Sequence, residues 1–242
     1  MNEIIKSLFE RKSVRQFTDR DIDEKTRELI LLSAAEAPTA GNQQLYTIID
    51  VRNQEIKDKL AVSCDNQPFI KTAPMVLIFC ADCKKWDDAY RSIGLEPKNA
   101  GEGDLFISIE DAVIAAQNAV VAAESLGLGS CYIGDIIENR EYHKELLNLP
   151  DRVVPICMLV IGYPTEGQIK RNKPKRCEQK FIVHTDSYHT LDQSELREML
   201  SYKAGEKTYE EWLSAFCKRK YDSDFCKEMT RSAKGYIEEF KC

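Results

Sequence analysis

The sequence predicts a fold in which helices cover a few deeply buried strands. Three observations carry this. Residues 74–81 and 153–162 are continuous apolar runs of strand length, the pattern of strands covered on both faces. Residues 107–126 form a long helical stretch. Ala112, Ala115, Ala116, Ala119, Ala122 and Ala123 spread small side chains around much of its circumference, so neighbouring backbones can approach closely and the helix belongs at the centre.

The other elements follow in order. Ile4, Ile5, Leu8 and Phe9 recur at helical spacing over residues 2–9. Asp23 is a candidate cap for a helix reaching Glu36, with Leu29, Ile30, Leu32, Ser33 and Ala34 as its buried stripe. Pro38 breaks that helix, and the loop to Gln44 is rich in small and amide residues. Residues 46–51 read as a strand and residues 54–63 as a short helix. Residues 86–104 are expected to be an irregular, mobile excursion. Gly127 stops the long helix, and residues 130–134 form a short strand or turn. Residues 140–147 are helical. From Thr190 onward charges dominate a helical pattern with Trp212, Phe216, Phe225, Ile237 and Phe240. This predicts one domain over residues 1–190 and a helical extension over 191–242 that packs on the domain or on a partner subunit.

Composition narrows the function. The net charge of -6 argues against a general binder of nucleic acid or anionic membrane. No segment reads as a transmembrane span, and the first residues lack the apolar core of a signal peptide. A cytoplasmic protein is expected. Its nine cysteines, an odd number in a chain of this size, read as reduced thiols.

Against that acidic background, Arg11, Lys12, Ser13 and Arg15 put three cations and a hydroxyl into five residues. Arg offers a planar fork of donors, Lys a point charge and Ser a short-range hydroxyl. Such a set suits a small anion, above all a phosphate. Alone it would equally suit a solvated helix end, where cations are favoured. A second basic cluster, residues 170–176, contains Lys173 and Lys175.

These parts recur in a recognisable order. Arg-Lys-Ser-x-Arg is followed by Pro38-Thr39, Asn42 and Gln44. Then come an apolar strand, the Ala-rich helix ending Leu126-Gly127-Leu128-Gly129, Tyr132-Ile133-Gly134, and Gly162-Tyr163-Pro164 with Lys173-Pro174-Lys175 behind it. Over roughly residues 3–190 the chain resembles the nitroreductase family of flavoproteins, in its oxygen-insensitive major nitroreductase and NADPH-flavin oxidoreductase branch. The resemblance implies an α+β fold with a central mixed sheet flanked by helices, in an intertwined homodimer with a C-terminal helical extension. It also implies FMN at the subunit interface, NADPH or NADH as reductant, and nitroaromatics, quinones or flavins as oxidants. Hydride passes through flavin N5 in ping-pong fashion.

By position, the resemblance assigns Arg11, Lys12 and Ser13, with Lys173 and Lys175, to the FMN phosphate. Arg15 and Gln67 fall to the pyrimidine edge. Pro38, Thr39 and Asn42 fall to the loop lent by the partner, and Tyr132, Ile133 and Gly134 to the segment beside N5. The chemistry agrees. A dianionic phosphate needs several charge-assisted donors, and a cation near N1 and O2 favours the reduced flavin. No catalytic side chain is implied, because the chemistry is the cofactor's. Two departures stand out: Lys175, followed by Arg176, holds a place where the family often carries Arg, and Asp135 follows Gly134 where a small residue is often found.

Cys80-Ala81-Asp82-Cys83 invites another reading, a redox or metal-binding sensor. No second such pair follows, and buried thiols pack as small hydrophobes, so no metal site is expected. Reductive dehalogenation or ene reduction on the same fold is the remaining alternative.

Overall fold

The computed structural model describes residues 1–241. The chain divides into two compact units, Met1–Lys173 joined by the chain from Met229 onward, and Pro174–Glu228.

The first unit is built on a four-stranded sheet of order β1-β2-β4-β3, with β1 Tyr46–Asp50, β2 Met75–Asp82, β3 Gly129–Ile133 and β4 Val153–Gly162. All three ladders are antiparallel. The parallel component expected of a mixed sheet is confined to one bridge, Ser13 with Ser130. Around the sheet lie α1 Glu3–Glu10, α2 Glu24–Ala35, α3 Gln54–Ser63, α4 Phe69–Thr72, α5 Lys84–Ser92, α6 Glu102–Ser125, α7 Arg140–Leu146 and α8 Glu166–Lys170.

Alternation along β2 separates two cores. Met75, Leu77 and Phe79 face the alanines of α6 together with Ile30 and Ala34 of α2. Val76, Ile78 and Cys80 face Leu60 of α3, Ile70 of α4, Ile136 and Leu149. Ala112, Ala115, Ala116, Ala119 and Ala123 are fully buried, so α6 lies close against the sheet, as the sequence predicts. Gly127 stops the helix at φ +76°. Asp23 caps α2 by accepting from the Thr26 N–H at 2.9 Å.

Two expectations are corrected here. Residues 86–104 are irregular only in part, for α5 covers 86–92 and α6 begins at Glu102, leaving 93–101 without helix or strand. The polar sequence hides α5 because its turns are joined by ion pairs, Arg91 to Asp87 and Lys84 to Asp88. Gly101 starts α6 early, donating its N–H to Asp104 at 2.9 Å. Helix α6 is also long and apolar enough to cross a membrane by length and composition, with a mean hydropathy of 1.5 over its best window. Part of its apolar character comes from Val120 and the alanines packed in the core, and part from Phe106, Ile107, Val113 and Ile114, which are exposed. The short helices α4 and α8 have no counterpart in the sequence reading.

The last turn of α11 (Asp224–Glu238, numbered after the second unit's helices α9 Gln193–Leu200 and α10 Tyr209–Tyr221) enters the first unit's core. Tyr236 and Phe240 pack with Ala81, Cys83, Leu105 and Val154. Beside them the buried Glu239 carboxylate accepts from Lys144 at 2.6 Å, from the Arg152 N–H at 2.7 Å and from Arg140.

In the second unit, capping boxes start α9 at Asp192 and α10 at Thr208. Trp212 and Phe216 stack along α10 with centroids 5.2 Å apart.

Candidate functional site

The cationic cluster follows α1 as an extended segment. Val14 donates to the Ser130 carbonyl at 2.8 Å, and Ser13 and Ser130 form the parallel bridge. This seam requires Gly129, because a Cβ there would lie 2.5 Å from Val14 Cγ2. In an extended segment side chains alternate, so Arg11, Ser13 and Arg15 share one side while Lys12 and Val14 take the other. Val14 is accordingly buried. Burial pushes the Cys131 thiol up, whereas Arg15, Ser13 and Arg11 pull it down.

The distal cluster is laced to the same segment. Lys12 Nζ donates to the Ile169 carbonyl at 2.7 Å and also to that of Arg171. Arg171 returns a bond to the Ser13 carbonyl. Lys173 Nζ donates to the Phe9 carbonyl at 2.6 Å, closing the end of α1 beside Arg11. Lys175 lies in the second unit with Nζ 5.3 Å from the Tyr202 ring centroid, and its assignment rests on the family resemblance alone.

Donors that remain unspent are available to an anion. Arg11 Nη1 and Ser130 Oγ are buried with no hydrogen-bond partner among the described residues. Buried donors without partners cost about 1–3 kcal/mol each. A phosphate has the acceptors to satisfy them, and the residues present fit that group.

Beyond β3, Gly134 is exposed and begins a 3-10 turn over Asp135–Ile137. Ile133 faces the core, so at this position the backbone, not the side chain, is available. Tyr132 points to the other face, where its hydroxyl donates to Gln117 Oε1 at 3.3 Å, and burial raises its pKa. Gln67 follows α3 after two residues of positive φ, Asp65 and Asn66. Its Nε2 donates to the Cys64 carbonyl at 2.8 Å and to Asp135 Oδ2 at 3.2 Å. Asp135 is thus partnered with the amide proposed for the pyrimidine edge. The Arg15 guanidinium lies 6.0 Å from the Phe69 ring centroid, and the Arg15 backbone N–H donates to Gln168 Oε1 at 3.2 Å.

Pro38, Thr39 and Asn42 sit elsewhere. Their loop is held from within by Asp111 of α6, whose carboxylate accepts from the Ala40 N–H at 2.9 Å and the Leu45 N–H at 3.1 Å. Thr39 Oγ1 accepts from the Gln44 N–H at 3.1 Å, and Pro38 and Asn42 are exposed. The loop precedes β1, at the sheet edge opposite β3. Three inter-strand steps separate those edges, about 14 Å. The ends differ too: Tyr46 pairs with Ala81, whereas Gly129 pairs with Gly162 at the Met75 end of the sheet. Gln67 thus meets the turn after Gly134, the Ser13 segment runs beside Ser130, and the loop around Asn42 stands at the other edge of the sheet.

Sequence reasoning overlooked Ser130, Asp111, Gln168 and Arg171. Arg171 was visible as part of a basic run. The others are isolated polar residues in apolar or helical stretches, and only the tertiary fold gives them partners.

The alternative cysteine site is chemically quiet. Burial pushes the Cys80 thiol up to about 12 and also raises Cys83, which lies 3.5 Å from Ser108 Oγ. Thiols held protonated are poor nucleophiles and poor metal ligands.

Comparison with known proteins decides the family. The model of the Nitroreductase family matches residues 8–163. The chain belongs to the nitroreductase family. Among relatives, it is 34% identical to the FMN reductase [NAD(P)H] of Bacillus subtilis over 98% of this chain and 92% of that one. It is 30% identical to the oxygen-insensitive NADPH nitroreductase of Salmonella typhimurium over 80% and 78%. Within the family's solved structures, NfrA2 of B. megaterium superposes with a TM-score of 0.83 at 31% identity, covering 100% of this chain and 99% of that one.

Proposed function

We propose that this protein is a cytoplasmic, homodimeric, FMN-dependent NAD(P)H oxidoreductase that reduces nitroaromatics, quinones or flavins in a ping-pong cycle. The observation that carries the reading is the pair of unspent buried donors, Arg11 Nη1 and Ser130 Oγ, within the cationic seam. The relatives' names, an FMN reductase and an NADPH nitroreductase, agree with it.

When bound, FMN supplies the two-electron chemistry through its ring. The chain's own residues bind and orient it. Arg11, Ser13 and Ser130 hold the phosphate, and Lys12, Arg171 and Lys173 keep that cradle closed by tying residues 169–173 to the end of α1. Arg15 sets a cation at the pyrimidine edge, which the Gln67 amide also serves. The exposed Gly134 lets backbone approach N5 without a side chain in the way.

The separation of the two edges supports the dimer. In this reading a second chain lends the loop at residues 38–42 to a flavin held at β3. Helix α6 offers a surface for that chain, since Phe106, Val113 and Ile114 recur at helical spacing and are exposed.

An absorption spectrum followed by anaerobic addition of NADPH and then NADH tests the reading. Flavin bands that bleach with either nucleotide are expected. A colourless protein that cannot be reconstituted with FMN would overturn it.

A further inference from the structure

We infer that His143 is a positioning residue that fixes the Gly134 backbone relative to Gln67. The role assigned to those two groups rests on the proposed flavin site. His143 lies outside every sequence motif of that site and is fully buried on α7. Its Nδ1 is 2.9 Å from the Ile136 carbonyl and its Nε2 is 2.8 Å from Ser63 Oγ. A carbonyl only accepts, so Nδ1 carries the proton and Nε2 receives the Ser63 hydroxyl. Burial lowers the imidazole pKa, which keeps this neutral form.

Both partners lead directly to the site. Ile136 is two residues beyond Gly134, in the same 3-10 turn as Asp135. Ser63 is the last residue of α3 and stands four positions before Gln67. Asn139 Nδ2 also donates to the Ser63 carbonyl, at 3.0 Å. Asp65 and Asn66, between Ser63 and Gln67, both have positive φ, which costs energy that the surroundings must offset. The two segments are joined twice: at the surface by Gln67 and Asp135, in the interior by Ser63, His143 and Ile136. The outer link is half-exposed and the imidazole is its buried counterpart.

The test is a double-mutant cycle of His143→Leu and Ser63→Ala, read by FMN dissociation constant and bound-flavin reduction potential. The expected result is an affinity loss of about tenfold for His143→Leu, a smaller loss for Ser63→Ala, and a double variant no weaker than His143→Leu alone. The potential shifts in the same order. Variants that melt earlier but keep the wild-type affinity and potential would reduce His143 to a core residue and overturn the inference. If His143→Leu does not fold, Ser63→Ala decides by the same two readouts. Should the wild-type protein fail to bind FMN, the proposed function falls by itself. Hydrogen exchange on the flavin-free protein then decides the positioning role. Ser63→Ala must speed exchange in both residues 64–67 and 134–136, and unchanged exchange in either overturns it.

Discussion

Gly129 carries more of the site than its size suggests. Its missing Cβ lets Val14 enter the core, and the Val14 seam turns Arg11, Ser13 and Arg15 to a common side. Gly129→Ala puts a methyl 2.5 Å from Val14 Cγ2. Overpacking of this kind costs about 1–3 kcal/mol, and chemical denaturation will register that loss. Adding Val14→Ala removes the obstructing methyls and is expected to restore part of it. Arg11→Ala acts differently. It removes a buried charged donor that is unspent without ligand, so FMN affinity falls by about 1–3 kcal/mol while the flavin-free protein is little changed. Fluorescence titration with FMN and thermal melting of the flavin-free protein separate the two effects. Equal destabilisation with and without flavin would assign Arg11 to the fold instead.

Between elements, the junction of α7 with α11 gives a pH dependence of definite sign. Arg231 donates to Glu141 Oε2 at 2.8 Å, and this bond holds the Glu141 carboxyl at about 2, down from 4.5. A depressed carboxyl stabilises the fold fully above its unfolded value and loses that contribution as pH falls. The window therefore runs from about 4.5 down to about 2. Both side chains are more than half exposed, so the contribution is at most about 1 kcal/mol. Arg231→Ala is expected to flatten the stability profile in that window, as measured by urea unfolding at stepped pH. A profile as steep as wild type would count against the link. At this scale the sequence was readable where one pattern dominated. The strands β2 and β4 and the alanines of α6 announce burial on their own. Helix α5 did not, because ion pairs rather than an apolar stripe hold its turns together. Asp111 and His143 were illegible for a related reason. Nothing in its own helix sets either apart, and its partners arrive from distant parts of the chain.

For the molecule as a whole, the arrangement of edges decides what one chain can do. The cation set and Gly134 could be listed from sequence because each belongs to a local motif, while Gln67 was reached through the family resemblance alone. That Thr39 and Asn42 stand across the sheet from them could not, since strand order is a property of the fold. Phe106→Asp on the exposed face of α6 is expected to yield monomers in sedimentation that retain helical structure but release FMN. Monomers that keep flavin would refute the shared site.

The same separation of edges has a genetic consequence. If each site takes its cradle from one chain and its loop from the other, two crippled chains can rescue one another. Mix a chain bearing Arg11→Ala with a chain whose loop is broken at Asn42. Each hybrid then gathers both lesions into one site and leaves its twin site whole. Activity reappears from two inactive parents, and only when the subunits exchange.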